Sequence, residues 1–74
     1  MSTPATISVD RAPGGAWEVV RLDQGERVLC PSLADALRVG YRFAADAEGC
    51  ELVVRDAYHR VLRRERLPAS SARN

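Results

Sequence analysis

At 74 residues the chain is one small domain, of the size that buries only about 60% of its unfolded surface and is marginal alone. Its composition is ordinary for a globular protein, at 46% hydrophobic and 28% charged, and no apolar run approaches the ~18 residues of a membrane span. The net charge of +1 and pI near 7.8 fall short of the value above ~9 that is usual for a dedicated nucleic-acid domain.

Taken in order, residues 1–5 read as a flexible tail. Ile7 and Val9 alternate with Thr6, Ser8 and Asp10, which predicts a short first strand with one apolar face. Pro13-Gly14-Gly15 is a turn, Trp17 to Leu22 a second strand, Asp23-Gln24-Gly25-Glu26 a hairpin loop, and Arg27 to Cys30 a third strand. A helix then runs from Leu33 to about Glu48. Ser32 is its cap, with Asp35 three residues on in the manner of a capping box, and Gly49 follows as a left-handed terminator. Leu33, Ala36, Leu37, Gly40, Phe43, Ala44 and Ala47 fall in one stripe ~120° wide. Gly40 costs ~1 kcal/mol against Ala at mid-helix, and its place in the stripe predicts a close approach to a sheet. Glu51 to Arg55 is a fourth strand, Asp56 to His59 a turn, and Arg60 to about Arg66 a fifth strand. Residues 68–74 form a polar tail.

One helical stripe needs one surface, and with a single helix that surface is a sheet. The expected fold is α+β. A mostly antiparallel sheet of about five strands, in sequence order β-β-β-α-β-β, carries one helix on one face, and residues 6–67 form a single domain. In the second strand Trp17 and Val19 point one way, Val20 and Leu22 the other, and Val53 opposes Leu52 and Val54 likewise. A sheet covered on one side is expected to be polar on the other. This pattern instead predicts an apolar second face, covered by another copy of the chain. Val20, Leu22, Leu29 and Val53 are the candidate dimer face, and Trp17 is the expected anchor beneath the helix.

Catalysis finds little to stand on. His59 is the only His and falls in a turn, where Asp and His are common because they tolerate left-handed φ. Ser32 is a cap, and Ser70-Ser71 lie in a tail. Cys30 and Cys50 flank a helix ~24 Å long, beyond the ~7 Å between Cα atoms that a disulfide spans, so free thiols in small apolar roles are expected. With no CxxC and one His, neither a metal nor a cofactor is expected. The absence of a signal-peptide pattern and the free thiols suggest the cytoplasm. All basic residues are Arg, which with abundant Ala suggests a bacterial genome rich in GC. From Arg55 onward the local charge is +4, against −3 for the remainder. Arg60, Arg64 and Arg66 on one strand face could contact phosphates. The same charges also serve to protect an edge strand from wrong pairing, or to pair with acids of this chain or of a partner.

Gly15, Trp17 and Val19, Ser32 and Ala36, Gly49 to Val53, and Arg60 to Arg66 occur in an order and spacing that resembles a family of short bacterial proteins defined only as a domain of unknown function. The resemblance covers residues 7–67 and implies the three-strand, helix, two-strand plan, with no activity attached. Members carry Gly in the last turn, where this chain has Tyr58-His59. The first half is also similar to the sheet-plus-helix modules that bind DNA in phage-type integrases, a similarity that stops at the helix. The function expected is a non-catalytic binding or adaptor protein acting as a homodimer with a protein partner. The alternative is a nucleic-acid accessory protein using the Arg-rich last strand.

Overall fold

The computed structural model describes residues 5–47 and 49–67. The elements are Ala5–Arg11 (β1), Trp17–Arg21 (β2), Glu26–Cys30 (β3), Leu33–Asp46 (α1), Cys50–Arg55 (β4) and Val61–Leu67 (β5). The class is α+β, with one five-stranded sheet in the order β3-β2-β1-β4-β5. Three pairs are antiparallel, as the short hairpin loops predict, but β1 and β4 are parallel and the sheet is therefore mixed. The cause is the helix. It carries the chain from the end of β3 back across the sheet to the far side of β1, and a parallel connection requires a crossover of that kind.

Local chemistry sets the ends of α1. The Ser32 backbone is extended, and its Oγ accepts the Asp35 N–H at 3.2 Å. At the other end Ala47 already has an extended backbone, and its N–H donates to the Phe43 and Ala44 carbonyls at 3.1 and 3.2 Å. The helix thus stops at Asp46, ahead of the expected end at Glu48. Gly49 has the left-handed φ of 86° that its place in the sequence predicts.

The buried positions of α1 are Ala36, Gly40 and Ala44, four residues apart. They rest on Ile7, Val9, Val19, Leu52 and Val54. A Cβ added at Gly40 would lie 3.4 Å from both Leu52 Cδ1 and Val9 Cγ2, which is the close approach expected of this glycine. The largest fully buried side chains are Ile7, Leu52, Val9 and Val19. Trp17 faces the helix side but sits at the margin, half-buried between its cross-strand partners Arg11 and Cys30. The Arg11 guanidinium lies 5.4 Å from the Trp17 ring centroid, so the ring caps one end of the core instead of anchoring its centre.

Most strand boundaries differ from expectation by a residue, and two of these differences matter for the core and the site. Ala5, assigned above to a tail, begins β1 and is buried against the core. Arg60 precedes β5, which starts at Val61 and meets β4 through a register shift at Val54/Arg55. The readings for residues 1–4, Glu48 and residues 68–74 lie outside the described residues.

Candidate binding surface

Cross-strand partners share a face of a sheet, so the registers define the side away from α1. One row across it runs Arg27, Val20, Ser8, Val53, Arg64. A second runs Leu29, Glu18, Asp10, and a third Thr6, Glu51, Arg66. Leu22 continues the third row beyond β2, its N–H bonded to the Thr6 carbonyl at 3.0 Å.

All four candidate residues for a dimer face therefore point away from the helix, but they do not form one patch. Leu22 and Leu29 are 60% and 62% exposed. Val20 lies between them, two residues from Leu22 along β2 and diagonal to Leu29 across the hairpin. Val53 is separated from this stripe by Ser8, and it is already only 5% exposed. Its neighbour Arg64 forms an ion pair with Glu51 at 3.7 Å alongside it. Of the four residues expected to form the face, only Leu22, Val20 and Leu29 make one stripe.

The rest of the face is an ordered set of charges. Carboxylates stand on the interior strands, and Arg stands at both edges. Arg27 pairs with Glu18, Arg64 with Glu51, and Arg55 reaches Asp10 at 4.0 Å. Exposed pairs of this kind contribute ~0–1 kcal/mol each, so they orient side chains more than they stabilise the fold.

Asp10 gathers more partners than any other carboxylate on this face. Its Oδ1 accepts the Arg11 N–H and lies 2.8 Å from His59 Nδ1. The sequence places Asp56 and Tyr58 nearest His59, whereas the ring's partner comes from a strand 49 residues away. His59 has the left-handed φ, 66°, expected of a turn residue. The imidazole is largely exposed, and among the described residues it is bonded to no hydroxyl or thiol that it could activate.

Asp56 closes the same turn. Its Oδ1 accepts the Tyr58 and Arg60 N–H groups at 2.8 and 2.9 Å, and its Oδ2 accepts Arg60 Nε at 2.9 Å. The Arg60 N–H, assisted by these other donors, holds the Asp56 carboxyl below the usual carboxylate range. Arg60 is thus bound into the turn, with its guanidinium over the Tyr58 ring. Of the three Arg that could form a phosphate row, only Arg64 and Arg66 share the face.

Cys30 and Cys50 are both free and buried, on strands separated by β2 and β1. Burial pushes the Cys50 thiol up, against the opposing charge of Arg21. Among the described residues no cluster of three or more His, Cys, Asp or Glu could hold a metal ion. No helix among them is long and apolar enough to cross a membrane.

Two side-chain groupings have no signal in the sequence. One is Asp10 with His59 and Arg55. The other joins α1 to β5: Tyr41 Oη donates to Glu65 Oε1 at 2.8 Å and accepts Arg63 Nη1 at 3.1 Å. Both bring together strands or helices distant in the chain, and only the parallel placement of β4 beside β1 creates them. No family model, curated protein or solved structure matches the chain. The fold and the surface thus define the class to which it belongs: a small α+β protein with one helix-covered and one open sheet face.

Proposed function

We propose that this chain is a non-catalytic bacterial binding module of the cytoplasm, that it works as a homodimer, and that it offers the open face of its sheet to a protein partner. The observation that carries the reading is the stripe of Leu22, Val20 and Leu29, two of its three side chains mostly exposed on a face that the protein's own helix does not cover. Apolar stripes rimmed by charge are what protein contact surfaces look like. The pairs Arg27–Glu18 and Arg55–Asp10 beside it supply the polar rim.

The test compares wild type with a Leu22→Glu/Leu29→Glu variant as bait in cells of the native organism, beside sedimentation of both. A specific partner retained by wild type and lost by the folded variant supports the stripe as the surface. An identical set of captured proteins refutes it.

A nucleic-acid reading draws on Arg27, Arg55, Arg64 and Arg66 sharing that face. It has less support, since Glu18, Asp10 and Glu51 already engage three of the four.

A further inference from the structure

We infer that two copies join edge to edge through β5, antiparallel about a twofold axis at Arg64, so that one continuous sheet spans both protomers. This rests on the homodimer reading above and names its contact. The strand is an exposed edge of seven residues, longer than the five-residue β3 at the other edge. The outward N–H and C=O groups of such an edge are a template for another strand. Five of its seven residues are exposed, Val61 and Leu62 among them, and α1 reaches it through Tyr41.

Charge selects the register. A twofold axis perpendicular to the sheet sets one residue opposite itself, and the alternation of faces permits only shifts of that central residue along the strand. With Arg64 at the centre, Arg63 faces Glu65 of the second copy, and Glu65 faces its Arg63, which adds a cross-copy pair to the 4.0 Å Arg63–Glu65 contact and the Tyr41 bonds within each protomer. Arg64 faces Arg64, but each already leans on its own Glu51 at 3.7 Å. Centring on Arg63 opposes two Arg and forms no opposite-charge pair. Centring on Glu65 opposes two Glu and sets Arg64 against Arg66. The other edge offers nothing comparable: β3 centred on Val28 sets Arg27 against Leu29 and Glu26 against Cys30.

The arrangement leaves the open faces of both copies on one side of the joined sheet, with both Leu22–Val20–Leu29 stripes free. A second copy stacked on the open face would cover those stripes and would have to strip the charged pairs around them of water.

The register makes a sharp test. Directly opposed antiparallel residues have Cα atoms ~4.5–5.5 Å apart, within disulfide reach. Arg64→Cys therefore crosslinks to itself on mild oxidation. Arg63→Cys, displaced along the strand from its own copy, does not. Cys30 and Cys50 are buried, so wild type is the background control. In sedimentation, wild type is a dimer at ~100 μM, Glu65→Arg weakens it about tenfold or more, and Arg63→Glu/Glu65→Arg restores it. Circular dichroism checks that each variant is folded.

Equal crosslinking of Arg64→Cys and Arg63→Cys, or a dimer indifferent to Glu65→Arg, overturns the edge contact. If in addition Leu22→Glu splits that dimer, the copies meet through the open face and the homodimer reading survives. A monomeric wild type at ~100 μM removes both.

Discussion

Gly40 is where the helix and the sheet come closest, and replacing it separates two opposing effects. Alanine in place of a mid-helix glycine gains ~1 kcal/mol from the lost flexibility of the unfolded chain. The new Cβ would stand 3.4 Å from Leu52 Cδ1 and Val9 Cγ2 and 4.0 Å from Ile7 Cγ2, at the near limit of ordinary van der Waals contact. It therefore fits with little movement, and Gly40→Ala should be stabilised by up to ~1 kcal/mol. In a domain of this size that raises the melting temperature by ~4–8 °C. Valine is different. Its further carbons need space that Leu52, Val9 and Ile7 occupy, and overpacking of a filled core costs ~1–3 kcal/mol. Gly40→Val should thus melt below wild type while Gly40→Ala melts at or above it. Thermal unfolding followed by circular dichroism reads both. If the two variants were equally stable, the helix would not be seated on the sheet at this point, and the reasoning would fail.

Trp17→Ala should cost ~3 kcal/mol, the low end for a buried aromatic, because the ring caps the core margin; a urea midpoint equal to wild type would place the ring outside the core. Ser32→Ala should cost ~1 kcal/mol through loss of the Asp35 N–H bond, read as a lower melting temperature than that of Ser32→Asp. Because the folded protein holds the Asp56 carboxyl low, its contribution is complete above the ordinary carboxylate range and is lost as pH falls through the folded value. Acid unfolding of Asp56→Asn should accordingly show a shallower loss of stability below about pH 4; an unchanged acid limb contradicts the turn geometry. If Arg64 and Arg66, the two of the expected row that share the face, each neutralised a phosphate, duplex DNA binding would fall with salt at a log–log slope of about −1.8. Absence of binding at ~100 μM in low salt would remove the nucleic-acid alternative.

What could be read from the residues is what depends on neighbours in sequence. Ser32 with Asp35 fixes the helix start, Gly25 and the Pro13-Gly14-Gly15 turn separate strands, and the stripe through Gly40 anticipates its contact with a sheet. The left-handed His59 follows from turn chemistry alone. The parallel β1–β4 pair did not announce itself, because alternation tells which way Ile7 and Leu52 point but not that they meet. The same gap hid the Asp10–His59 contact. Val53 shows a subtler failure. Its direction is legible, yet its exposure is set by Arg64 and Glu51 lying alongside it. Arg60 was displaced from the strand face by a register shift that no pattern of apolar residues records.

The sheet order also gives meaning to the uneven charge of the sequence. Carboxylates Asp10, Glu18 and Glu51 occupy interior strands, while Arg27 and Arg64 stand on the two edges and lean inward to them. An edge dressed with guanidinium groups resists pairing with most other strands, since any like-charged approach is repelled. Within Val61–Leu67 a single acid, Glu65, interrupts the run of Arg. Removing it would leave an edge with no opposite-charge pair to its own copy in any register. Its presence makes one register attractive and leaves the neighbouring ones unfavourable, which is how a repulsive surface acquires a specific partner. Tyr41 holds Glu65 and Arg63 together from the helix above, so the acid that distinguishes the edge is one the fold orients.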